Sequence, residues 1–155
     1  MTQEEFAALM ASITSTTEGR RLDKSLEADL NRMFPANGDV FRAVVDACHA
    51  GIAAGWMCSR ERGGLRFGRV VNPGPETHGL SVDVVAMDNN AGGHHRHPNG
   101  EIELIMPIDA TALFDGHGAG WLLYEPGTAH VPTCTGGKML VLYLLPEGEI
   151  EFTKA

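Results

Sequence analysis

Residues 94–101 read His-His-Arg-His-Pro-Asn-Gly-Glu and hold the chain's densest group of metal-ligating side chains. His95 and His97 are two apart, so an extended strand sends both from one face and sends His94 and Arg96 from the other. A tight turn through Pro98, Asn99 and Gly100 would bring Glu101 back beside them. Further along, Pro126-Gly127-Thr128-Ala129-His130 offers a turn followed by another histidine. Three imidazoles and a carboxylate suit a divalent first-row metal: Fe(II) or Mn(II) by preference, Zn(II) or Ni(II) as alternatives. Four protein ligands leave one or two positions open on a five- or six-coordinate ion, where a substrate can bind. A lone His-x-His is a weak signal, and the whole set on a β pattern is far more specific. His49 falls in a helical segment, and His78 and His117 fall in loops, where structural or exposed roles are ordinary.

Glu103 lies two residues beyond Glu101, so strand alternation places it on the same inward face. A carboxyl with a raised pKa in an apolar pocket can serve as general acid and base. It can equally hydrogen-bond a ligand histidine. Cys134 follows His130 by four, but nothing near it in sequence would lower a thiol pKa, and packing is its expected role.

The elements that must position these residues change character near residue 55. Phe6, Leu9, Met10 and Ile13 mark one face of a helix, with Thr2 and Glu5 spaced as a capping box. Leu22, Leu26, Leu30 and Met33 form a second stripe that Pro35 stops. Val40, Phe41, Val44, Val45, Cys48 and Ile52 form a third, stopped by Gly55. All three are packing faces. From Trp56 onward short apolar stretches alternate with turn signals, and strands are expected at Leu65–Val71, Leu80–Met87, Glu101–Ile108, Gly120–Tyr124 and Met139–Leu145. Met139–Leu145 is continuously apolar, as in a strand covered on both faces. The expected architecture is mainly β: a helical segment over 1–55, then an antiparallel sandwich or barrel over 56–155. Asp88–Gly93 is expected to be the most flexible stretch.

Composition narrows the function classes. The 155 residues carry 20 acidic and 12 basic side chains, a formal net charge of −8. Nucleic-acid binding and docking on anionic membranes both call for a basic face, so neither partner is expected. The acidic helical third, with Glu4, Glu5, Glu18, Glu27 and Asp29, argues against a DNA-binding regulator. No apolar run approaches the roughly 20 residues of a membrane helix. MTQEEFAALM has no positive region ahead of a long apolar stretch, so no signal peptide is expected. Three cysteines without a CxxC pair fit a reducing cytoplasm.

His95-x-His97-(x)3-Glu101, followed by Gly120-(x)5-Pro126-Gly127-(x)2-His130, resembles the two cupin motifs over about residues 65–146. The resemblance implies a single small antiparallel β-barrel with His95, His97, Glu101 and His130 as the metal ligands inside. Asn89, Ile108, Glu125 and Cys134 stand where the cupin pattern has other residues. These departures touch turns and strand ends rather than the ligands. Over most of the chain, GWMCSRERGGLRFGRV, RHPNGEIEL, FDGHGAGWLLYEPGTAHVPT and LYLLPEGEIEF are similar to the small bacterial family of 4-hydroxylaminobenzoate lyase.

That resemblance implies a metal-dependent lyase that converts 4-hydroxylaminobenzoate to 3,4-dihydroxybenzoate (protocatechuate) and ammonia in nitroaromatic degradation. The reaction needs a Lewis acid or proton donor at the hydroxylamine oxygen, a base to rearomatise the ring, and water to hydrolyse an imine. Glu103 is then the catalytic candidate. The small aromatic carboxylate needs a cation, for which Arg66 and Arg69 on an expected strand are candidates, while Arg96 should face away. Trp121 and Tyr124, with Phe114 and Tyr143, are candidate pocket walls. Two other readings remain open here: an Fe(II) cupin dioxygenase acting on a thiol or aromatic substrate, and a non-catalytic cupin that binds a small molecule. A homodimer is expected, because pairing would cover the edges of a small open barrel.

Overall fold

Three helices form where the apolar stripes and caps place them. Helix α1 (Gln3–Thr14) starts with a reciprocal cap: the Thr2 hydroxyl accepts from the Glu5 amide at 3.1 Å, and the Glu5 carboxylate accepts from the Thr2 amide at 3.0 Å. Helix α2 (Lys24–Met33) is capped by Asp23, and α3 (Asp39–Ala54) ends at Gly55 in the left-handed region, φ +86°. Their buried faces carry Phe6, Met10, Ile13, Leu26, Leu30, Phe41 and Val44. Each such side chain contributes about 1.5–3 kcal/mol when taken out of water. The computed structural model describes residues 1–154; Ala155, the end of the expected 56–155 segment, lies outside them.

Among the described residues eleven strands follow: β1 (Arg60–Arg62), β2 (Leu65–Val71), β3 (Leu80–Asp88), β4 (His95–His97), β5 (Glu101–Pro107), β6 (Leu113–Phe114), β7 (Gly120–Tyr124), β8 (Thr128–His130), β9 (Cys134–Thr135), β10 (Lys138–Pro146) and β11 (Glu151–Phe152). They form a six-stranded antiparallel sheet in the order β1-β2-β3-β10-β5-β7, a three-stranded sheet β11-β4-β8 and a small pair β6-β9. The fold is mainly β, an antiparallel barrel preceded by helices. The expected long strands are β2, β3, β5, β7 and β10, two with the expected ends and three shifted by one residue at one or both ends. The short strands were not expected, since two or three residues carry too little periodicity to be read.

Strand β10 lies between β3 and β5, which explains its unbroken apolar run. One face, with Leu140, Leu142 and Leu144, shares a core with the helices. The other, with Met139 and Val141, packs with Met87, Ile105, Phe114, Leu122 and Cys134 inside the barrel. The helices therefore pack on the outer face of the barrel of their own chain. Helix α2 also covers the outer edge of β7. Asn31 accepts from the Trp121 amide at 2.9 Å and donates to its carbonyl at 3.0 Å, Glu27 accepts from the Leu123 amide at 2.8 Å, and Lys24 donates to the Leu123 carbonyl at 2.7 Å. Side chains thus satisfy an edge that otherwise invites another strand. Among the described residues, no helix is long and apolar enough to cross a membrane.

Candidate metal centre

Two strands and one turn assemble the centre. In the β4–β8 pair His95 lies opposite His130, and His97 lies opposite Thr128. The chain then reverses at Gly100, φ +86°, where an added Cβ would come within 2.9 Å of the Tyr124 carbonyl. Only glycine fits that reversal, which delivers Glu101 on β5 to the histidines.

The four groups meet at their ligating atoms. His95 Nε2 lies 3.0 Å from both His97 Nε2 and His130 Nε2, and His97 Nε2 lies 2.9 Å from Glu101 Oε2. All four atoms fall within 4.8 Å of one another, and His95, His97 and Glu101 are buried. The far side of each ring sets its tautomer. His95 Nδ1 faces the Gly93 carbonyl at 3.0 Å, which can only accept, so Nδ1 carries the proton. His130 Nδ1 faces the Asp115 carboxylate at 2.6 Å, with the same consequence. Thr128 donates its hydroxyl proton to the Glu125 carbonyl at 2.6 Å and so accepts from His97 Nδ1 at 3.1 Å. Every Nε2 is then an unprotonated lone pair aimed at the others and at a carboxylate. Glu101 Oε2 accepts no hydrogen bond despite lying 2.9 Å from His97 Nε2.

An N3O set of four converging electron-pair donors with supported imidazoles can hold a metal ion. Burial lowers the His95 pKa and keeps that ring neutral, as a ligand must be. Burial works against ionised Asp115, but hydrogen bonds from His130, Tyr124 and Thr133 outweigh it and hold its carboxyl below the ordinary range. Tyr124 closes one side of the cluster, its ring 5.3 Å from that of His97 and 4.4 Å from that of His130, with its hydroxyl on Asp115.

A cavity of about 770 Å³ opens from His95, Glu101 and Glu103 past walls that include Phe67, Val85, Val141 and Tyr143. That is the range of small-molecule sites, with apolar walls and a few polar groups at one end. Glu103 is fully buried, faces this cavity and has no partner at Oε2. It makes no hydrogen bond to any of the three histidines among the described residues, and the candidate ligand it contacts is Glu101. Burial first, then the adjacent Glu101 charge, pushes its pKa well above the carboxylate range.

The remaining expected site residues divide. Phe114 and Tyr143 line the cavity, and Tyr124 lies against the ligand rings. Trp121 does not reach the site: on β7 it alternates to the helix side, where its Nε1 donates to the Phe34 carbonyl at 3.1 Å. Both faces of β7 are buried, so an aromatic residue there did not reveal which face was which. Arg66 is exposed and lies opposite Glu61 and Ala86, away from the interior. Arg69 turns to the inner side but is engaged by Asp83 at 3.2 Å and the Gly148 carbonyl at 3.1 Å. Neither arginine lines the cavity. Arg96 faces away and pairs with Glu151 at 3.2 Å. Cys134 is buried, which raises its thiol pKa, and contacts the Gly137 carbonyl.

Sequence reasoning missed Asp115, Thr128 and the arginines Arg60 and Arg62, which do line the cavity. Asp115 sits in the left-handed region, φ +48°, and was visible only as part of an Asp-Gly turn. The signal for Arg60 and Arg62 was the Gly63-Gly64 pair, a two-residue hairpin turn with φ +58° and +81°.

Comparison with protein families matches residues 8–152 to the PnbB family, 4-hydroxylaminobenzoate lyase. The chain belongs to this family. A 4-hydroxylaminobenzoate lyase from Pseudomonas putida is 26% identical over 167 residues, covering 97% of this chain and 95% of the relative. Another from Nocardioides sp. (strain LMS-CY) is 28% identical over 144 residues, covering 87% and 85%. Among solved structures, the DMSP lyase DddQ from Ruegeria pomeroyi matches with a TM-score of 0.49 at 22% identity, covering 72% of this lyase-family chain and 68% of that one. A cupin-like protein from Thermotoga maritima matches with a TM-score of 0.43 at 14% identity, covering 61% and 79%.

Proposed function

We propose that this protein is a metal-dependent lyase that converts 4-hydroxylaminobenzoate and water to 3,4-dihydroxybenzoate and ammonia. Membership of the 4-hydroxylaminobenzoate lyase family carries this reading, and the buried N3O cluster with a carboxyl beside it supports it. His95, His97, Glu101 and His130 would hold the ion, with Fe(II) or Mn(II) favoured and Zn(II) or Ni(II) compatible with the same donors. Such an ion supplies Lewis acidity and lowers the pKa of bound water. Glu103 holds a proton at the cavity's inner end, beside the ligands. It is placed to give that proton to the departing hydroxylamine oxygen, and its carboxylate then takes the ring proton as aromaticity returns. The apolar walls confine the ring and limit water to the inner end.

The net reaction adds one water and uses no oxidant. Turnover compared in air and under nitrogen, with an oxygen electrode, separates this reading from a dioxygenase. Equal ammonia release with no oxygen uptake supports the lyase. Oxygen uptake matched to product, with no reaction under nitrogen, would overturn it.

A further inference from the structure

Arg60 and Arg62 stand apart from most arginines of this chain. Arg20, Arg32, Arg42, Arg69 and Arg96 are all in ion pairs. Among the described residues Arg60 and Arg62 have neither an ion-pair nor a hydrogen-bond partner, and both line the cavity. Their side is set by register: Arg60 lies opposite Phe67 and Arg62 opposite Leu65, two residues that also line the cavity, while Glu61 lies opposite the outward Arg66. Both are exposed, so they stand at the mouth. The inner end carries the buried carboxyls of Glu101 and Glu103.

The cavity is therefore polarised, with cations at the mouth, apolar walls between, and acids with the ligand cluster at the inner end. A chain of net charge −8 repels anions in general, and a local positive mouth offsets that repulsion. A carboxylate at the inner end would occupy the place beside Glu103 and the ligand cluster that the reacting hydroxylamine needs. At the mouth it meets two guanidiniums with free donors, which bind carboxylates through paired hydrogen bonds. Resting on the lyase reading for the identity of the substrate, we propose that Arg60 and Arg62 bind its carboxylate at the cavity mouth and so direct the para substituent to the ligand cluster. They are specificity-determining residues and take no part in proton transfer.

The test uses 4-hydroxybenzoate and its neutral counterpart 4-hydroxybenzamide as probes, titrated calorimetrically into metal-loaded protein and into the R60Q/R62Q variant. Both arginines are exposed, so the variant should fold, which thermal unfolding checks. The native protein should bind the benzoate about tenfold or more tightly than the benzamide, in keeping with hydrogen bonds to a charged group. Rising salt should erode that preference. The variant should lose the preference and keep its affinity for the benzamide. A preference retained in R60Q/R62Q, or absent from the native protein, would overturn the assignment. In turnover, the variant should raise KM for 4-hydroxylaminobenzoate about tenfold with little change in kcat. Ammonia release with an unchanged KM would remove the arginine site and leave the lyase. Arginine-dependent benzoate binding without ammonia release would leave the site and remove the lyase.

Discussion

Asp115 Oδ2 accepts a hydrogen bond from His130 Nδ1 at 2.6 Å, while Asp115 Oδ1 accepts from the Thr133 amide at 2.9 Å. The carboxylate is thus fixed to the backbone and in turn fixes the proton of His130 away from the ligand cluster. Replacing Asp115 by Asn offers His130 a weaker, neutral acceptor and frees the ring to adopt the wrong tautomer. Asp115→Asn should weaken metal affinity about 10–100-fold, the usual cost of losing such a partner. Metal titration with a competing chelator measures this. Affinity equal to that of the native protein would show that the contact does not orient the ligand.

His97 is fully buried, and its Nε2 lies 2.9 Å from Glu101 Oε2. His97→Ala removes one of the four donors and leaves two imidazoles and Glu101 to hold the ion. Metal content after purification and dialysis, read by elemental analysis, should fall well below one ion per chain. Unchanged content would contradict the ligand assignment.

Glu103→Gln keeps the shape of the side chain and removes its exchangeable acid proton. The variant should bind metal as the native protein does and lose turnover by about 10²–10⁴-fold, the contribution of a placed general acid and base. Retained activity would reduce Glu103 to a structural residue of the barrel interior.

The long elements were legible because each buries a regular pattern. The Thr2 and Glu5 cap, the Pro35 and Gly55 stops and the continuous apolar run of β10 all appear in the structure where the residues indicated. The spacing of His95, His97, Glu101 and His130 likewise matches a convergent cluster. The facing of side chains was less legible. Trp121 lies on a strand buried on both sides, so alternation could not tell core from cavity. Arg66 and Arg69 are three apart and so lie on opposite faces of their strand, as the structure shows, but the sequence did not tell which one faces inward or that Asp83, a partner 14 positions away, holds Arg69. Arg60 and Arg62 occupy a strand of three residues, too short for periodicity, and only the Gly63-Gly64 turn marked it.

Helix α2 takes the place of a strand beside β7, and Asn31 satisfies both backbone groups of Trp121. Asn31→Ala leaves that amide and carbonyl without partners at a partly buried edge. Unfolding in urea should show a loss of about 1–3 kcal/mol. Metal content should not change, since Asn31 is on the helix side of the sheet. A variant as stable as the native chain would show that water satisfies this edge equally well.

The most direct test of the account is ammonia release from 4-hydroxylaminobenzoate under nitrogen, compared between chelator-stripped protein and the same protein reloaded with Fe(II) or Mn(II). The account predicts equal amounts of ammonia and 3,4-dihydroxybenzoate from the reloaded protein and little from the stripped protein. Full activity after stripping would contradict a metal-dependent reaction. No product from protein shown to hold its metal would contradict the lyase itself.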